Sequence, residues 1–310
     1  MAEVHEVAPD GDILVSSLVL SLGSPVFKAM LGPHFKEGAT LASGARLDLP
    51  LPEDCPEGML AICEVMHMKT PPCPTPSVDL FLKIAIMVDK YDCRAAMFFA
   101  MKEWIRLASA NDRNCLHLFI IAYLMESPND FKKYGRLVIS RTASFVRITA
   151  PEGIDDNLRR MIEALSKRRD ELMGEVAAEV QGMIDEECAR DDTRPGRCLP
   201  GCTYIPTRLF NFTKSLTKSD IWPVMHFKDK SLHAMHTALI SLPSDWTDSL
   251  KHCDSDDVCV GVLMDSSEDI RCILHQVASV LELEIPNVCL MCVKGGVAET
   301  QIVCCKKPGH

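Results

Sequence analysis

Residues 12–31 read DILVSSLVLSLGSPVFKAML, and the division of this stretch into elements decides the fold. Asp12–Val15 is a short run of β-formers and reads as a strand. Ser24 followed by Pro25 reads as a helix start. A serine oxygen can accept an amide of the first turn, and the fixed φ of proline suits the first helical position. Val26, Phe27, Met30 and Leu31 then fall on one helical face, and Gly32–Pro33 ends the run. Further along, ARLDLPL at Ala45–Leu51 alternates as a half-buried strand does.

Helical signals dominate beyond that point. Asp54 and Glu57 stand three apart, as in a capping box, ahead of the helical spacing of Met59, Ile62, Cys63 and Met66. Four prolines forbid helix over Lys69–Pro76. Ser77 caps a run, VDLFLKIAIMVDK, that is apolar almost all round and therefore central. Helices follow over AAMFFAMKEWIRLA, NDRNCLHLFIIAYLME and the segment beginning PNDFKKYG. Pro151–Gly153 is a break. From Asp155 to about Arg190 a long amphipathic helix carries Leu158, Met161, Ile162, Leu165, Leu172, Met173, Val176, Val180, Met183 and Ile184 as one stripe, interrupted by Arg168 and Arg169. Lys167, Arg168 and Arg169 stand at helical spacing from Glu163 and Glu171, so they pair within the helix. Two short helices are expected later, near Ser231–Leu242 and Ser267–Leu283. The predicted class is α+β, a small sheet flanked by clustered helices and followed by a mostly helical C-terminal region.

The chain has 310 residues, 47% of them hydrophobic and 25% charged, which allows a sizeable core. Its net charge of −10 argues against general affinity for nucleic-acid backbones. No membrane span and no signal-peptide pattern stand out, so a cytoplasmic or nuclear protein with mostly reduced cysteines is expected. No G-x-S-x-G, Walker loop, G-x-G-x-x-G or H-E-x-x-H occurs, and a non-enzyme is expected. Asp254, Asp256 and Asp257 read as a solvated acidic loop. His226, His233 and His236 read as solvated or hydrogen-bonded side chains, and His67 as a core-edge histidine.

Two readings of the C-terminal cysteines stand side by side. Cys198, Cys202, Cys289 and Cys292 have the pair spacing of a closed structural zinc site. Alternatively they are reduced thiols packed as small hydrophobes. The zinc reading supports an alternative function, a zinc-stabilised nucleic-acid- or chromatin-binding protein.

Several blocks occur in order: SSLVLSLGSPVFKAML (16–31), PHFKEG (33–38), LDLPLPED with PEGMLAICEVMHMKT (47–70), LFLKIAIMVDKYDC (80–93) and Trp104. Together they resemble the BTB/POZ domain, in its filamentous-fungal branch. IWPV at 221–224 and VCLMCVK at 288–294 extend the resemblance more loosely. It implies a BTB/POZ-like domain at 12–126; the residues themselves read as a lead without fixed structure at 1–11, a helical extension at 127–190 and a Cys-rich helical region at 191–310. A typical member has a β-hairpin between the D-G-D and the V-S-S-L-V-L blocks, most of which is absent here. Either its second strand is missing or Ile13–Val15 serves alone. The resemblance further implies protein–protein interaction, commonly homodimerisation, and for some members recruitment to a cullin-type ubiquitin ligase or to transcription and chromatin complexes. Leu18, Leu20, Pro25, Val26, Phe27 and Met30 are the expected dimer surface.

Overall fold

The computed structural model of the protein describes residues 12–69, 75–111, 114–143, 154–192, 204–222, 230–242 and 288–295. The 1–11 lead, the Pro151–Gly153 break, the helix near 267–283, His226 and the acidic loop at 254–257 lie outside them. Every regular element among the described residues is a helix. In chain order these are α1 Ser17–Gly23, α2 Pro25–Met30, α3 Lys36–Ala42, α4 Pro56–Met66, α5 Val78–Lys90 and α6 Arg94–Leu107. Then come α7 Cys115–Leu124, α8 Pro128–Arg141, α9 Asp156–Asp192, α10 Tyr204–Lys218, α11 Leu232–Ile240 and α12 Leu290–Lys294.

The α+β expectation is therefore corrected: no strand forms among the described residues. Asp12–Val15 and Ala45–Leu51 carry no regular secondary structure, though Leu47, Leu49 and Leu51 are half-buried while Asp48 and Pro50 are exposed, the in–out alternation of a strand. A strand also needs a neighbour to take its amides and carbonyls. Among the described residues neither segment has one, and each stays a separate arm.

Ser24 divides the opening stretch into two helices. Its backbone is extended (φ −143°, ψ 117°), which ends α1 and starts α2. Its hydroxyl accepts the Phe27 amide at 3.0 Å and donates to the Tyr91 carbonyl at 2.5 Å. Phe27 then stacks flat on Tyr91, with ring centroids 4.5 Å apart and planes 5° apart. The Tyr91 hydroxyl and the Lys90 ammonium both donate to Asp54, the latter at 2.9 Å. Burial, and then the bond to Asp54, push the Tyr91 phenol above its ordinary range. Asp54 is thus engaged by the end of α5 and does not form the capping box expected with Glu57. The N-cap of α4 is Cys55, with no side-chain cap, and Pro56 opens the helix.

The centre is built as the caps and apolar faces direct. Ser77 accepts the Leu80 amide at 3.2 Å to start α5, which buries Phe81, Leu82, Ile84, Ala85, Met87 and Val88. Residues Leu118–Leu124 of α7 are all buried. Phe119 of α7 stacks on Phe131 of α8 at 4.4 Å. A single buried cluster runs from Leu20 to Val293. The C-terminal helix joins it because α8 carries Gly135: a Cβ there would stand 2.7 Å from Val288 and 3.2 Å from Phe119.

On α9 the expected stripe is buried from Leu158 to Ile184, the Met183 side chain lying outside the described set. Arg168 pairs outward with Glu171 at 3.4 Å and Glu175 at 3.1 Å. Arg169 also pairs within the helix, bonding Asp170 at 3.0 Å and Ser166 at 3.2 Å, but it does so buried, at 1% exposure. The helices α1, α3, α10 and α12 are additions to the sequence reading. α3 is short and holds a glycine, yet Gly38 is what seats it, since any Cβ there would strike the Gly32 carbonyl.

Candidate functional site

The expected dimer residues divide between inside and outside. Phe27 is 1% exposed and Leu20 5%. Val26 and Met30 are half-buried, and Pro25 is exposed. Leu18 is 67% exposed, and Leu22, one turn further along α1, is 79% exposed. Leu14, four residues before Leu18, is exposed too. Positions four apart on a helix share a face, so Leu18 and Leu22 form a leucine stripe on the outward side of α1, while Leu14 belongs to the arm before it. Phe27 and Leu20 belong to the chain's own core.

The end of α1 lies against the start of α6, where a Cβ on Gly23 would stand 3.4 Å from that of Ala96. On α6 the core positions are Met97, Met101, Trp104 and Ile105. Phe98 and Phe99 fall off that stripe and are exposed, their rings edge to face at 5.2 Å. Leu22, Phe98 and Phe99 were missed as surface residues in the sequence. The four-residue spacing of the leucines and the doubled phenylalanine beside a complete core stripe are the signals that mark them.

Beside α1 a cavity of about 860 Å³ opens between the two arms. Leu20, Phe27, Met59 and Cys63 line it from the helices, and Ile13–Val15 and Leu47–Leu51 from the arms. The end of the first arm is pinned. The Ser16 amide donates to Nε2 of His67 at 3.0 Å, and Nδ1 of the same ring lies 2.7 Å from the Cys63 carbonyl. That pair of contacts selects the neutral ring protonated at Nδ1. No family model, no curated protein and no solved structure matches this chain. The BTB/POZ resemblance accordingly rests on the motifs quoted above.

For metal chemistry, Cys198 and Cys202 lie outside the described residues. Cys289 is the N-cap of α12 and Cys292 lies within that helix, both half-buried. No group of three or more His, Cys, Asp or Glu side chains placed to hold a metal ion occurs among the described residues. Cys63 and Cys93 are buried, and burial pushes each thiol up to about 12, which leaves them protonated and unreactive at neutral pH. His233 is exposed.

A charge cluster holds the C-terminal helix to the rest. Glu126 accepts from Arg94 of α6 at 2.7 Å and from Lys294 of α12 at 2.6 Å. The Lys294 ammonium also stands 5.1 Å over the Tyr123 ring. The bond from Lys294 is the largest influence holding the Glu126 carboxyl below its ordinary value of 4.5. A carboxyl lowered by folding adds stability above its unfolded value and loses it as pH falls through the folded one. The urea midpoint is therefore expected to fall on acidification below about pH 4.5. Glu126→Gln should flatten that part of the profile; an unchanged profile in the variant would show that the clamp carries no stability.

Proposed function

We propose that this chain is a non-enzymatic protein–protein interaction module that self-associates through α1 and the adjoining exposed face of α6. One observation carries the reading. Leu18 and Leu22 stand on successive turns of α1 at 67% and 79% exposure, although the same helix buries Leu20 in the chain's own core. Contiguous exposed apolar side chains on a soluble surface mark association sites. A two-fold dimer would let one leucine stripe meet its twin, each residue serving both sides. Burial there contributes about 25 cal/mol per Å² of apolar surface, against the entropy lost on association.

The BTB/POZ resemblance supports the same reading. Dimerisation would present two copies of the helical remainder to a further partner, which suits an adaptor for a cullin-type ligase or for a transcription or chromatin complex. The compartment that fits is the cytoplasm or the nucleus.

The test is the double substitution Leu18→Asp with Leu22→Asp, measured by light scattering on the full chain. Both side chains are exposed, so the fold and its circular dichroism should stay as they are. The wild type should show twice the chain mass of 34.4 kDa and the variant 34.4 kDa. Equal masses for the two proteins would reject α1 as the association surface.

A further inference from the structure

We propose that the cavity between the two arms is a receptor groove for an extended, basic peptide segment of another protein, which enters as the strand the arms lack. This goes beyond self-association and uses a different surface.

The first observation is hydrogen bonding. Among the described residues, no amide or carbonyl of Ile13–Val15 or of Arg46–Pro50 makes a hydrogen bond. Neither arm carries regular secondary structure, both line the same cavity, and the second alternates half-buried with exposed residues. Backbone in this state is a template for an added strand. The helices close the far side with apolar groups, Phe27 and Met59 among them. An incoming segment would thus gain main-chain bonds at its edges and burial for every second side chain.

The second observation is charge, and it selects the occupant. Among the described residues the groove is lined by Asp12, Asp48 and Asp54 against one cation, Arg46, which already lies 3.5 Å from Asp48. Asp54 is held by Lys90 and Tyr91 and Asp48 faces Arg46, so the rim keeps a net negative charge, with the Asp12 carboxylate exposed and clear of that pair. The chain's own first eleven residues bring Glu3, Glu6 and Asp10 and are mismatched to that rim. A second copy's arm brings another Asp12 and is mismatched as well. A segment with apolar residues at alternate positions and lysine or arginine between them complements both features.

The probe is a fluorescein-labelled peptide of about seven residues, alternating valine and lysine, the length of a short strand. Its anisotropy is followed on the full chain at about 0.15 M ionic strength. Saturable binding is expected. Replacing the lysines by glutamate, or placing proline at the centre, should each weaken it about tenfold or more. Asp12→Lys with Asp48→Lys, both at exposed positions, should reverse the preference toward the glutamate peptide. Binding should persist in the Leu18→Asp, Leu22→Asp protein, so the groove and the dimer face fail separately. No saturation up to about 1 mM would overturn the proposal. So would equal binding of the proline peptide, or an unchanged charge preference in the double-lysine variant. A gain of about tenfold or more on deleting residues 1–11 would name the chain's own lead as occupant and overturn it too.

Discussion

Phe27→Ala is expected to destabilise the protein by about 3–5 kcal/mol, the range for a buried phenylalanine removed from a core. The ring is 1% exposed and lies flat on Tyr91. It is also the one buried residue of α2, a helix of six residues that cannot persist on its own propensity. Losing the ring loosens the Ser24 bond to the Tyr91 carbonyl and, through Tyr91, the hold on Asp54. The urea midpoint should drop with little change in slope. Phe27→Asp should unfold this end altogether, since a carboxylate would be buried without a partner. Its effect would be on folding rather than on the dimer alone, which is why the association test uses Leu18 and Leu22. Met68, 96% exposed, is the control: its replacement by alanine should stay within about 0.5 kcal/mol. A Phe27→Ala cost as small as the control's would show that the stacked ring does not hold α2.

Phe131→Ala should cost a similar amount, about 3–5 kcal/mol. Phe131 is fully buried, stacks on Phe119 at 4.4 Å and meets Tyr123 at 5.9 Å, so it ties α8 to α7 at two points. Phe119 also touches the place where Val288 passes Gly135. The void should therefore loosen the C-terminal helix as well as the α7–α8 pair. Phe131→Leu, which keeps more of the volume, should cost less than the alanine variant. Equal costs for the two, read from urea midpoints, would overturn this expectation by showing that apolar filling recovers none of the loss.

Local chemistry made much of the helical framework legible. Ser24, Ser77 and Ser231 each accept an amide of the turn they start, at 3.0, 3.2 and 3.2 Å. That information lies within four consecutive residues. The stripe on α9 was equally plain, because burial follows a helical period wherever one face meets a core. Asp54 shows where such reading ends. Its spacing from Glu57 suits a capping box, but Lys90 and Tyr91, more than thirty residues away in sequence, take its oxygens. Arg169 breaks an apolar stripe by type, yet it is buried, with its guanidinium on Ser166 and Asp170. Gly38 reads as a weak point in a helix and proves to be the point where backbone meets backbone.

The amino acids by themselves determined where most helices start, which faces are apolar, and that one arm, Ala45–Leu51, has the alternation of a strand. They did not determine whether the two arms would pair, because a strand is completed by another stretch of chain and its own residues cannot supply the partner. Only the tertiary structure decided that the arms stay apart around a cavity, and that Phe27 points inward while Leu18 and Leu22 point out. The physical reason is one of range. Caps and helical faces are settled by neighbours a turn away, whereas the division of apolar side chains between core and surface depends on every helix that packs against them.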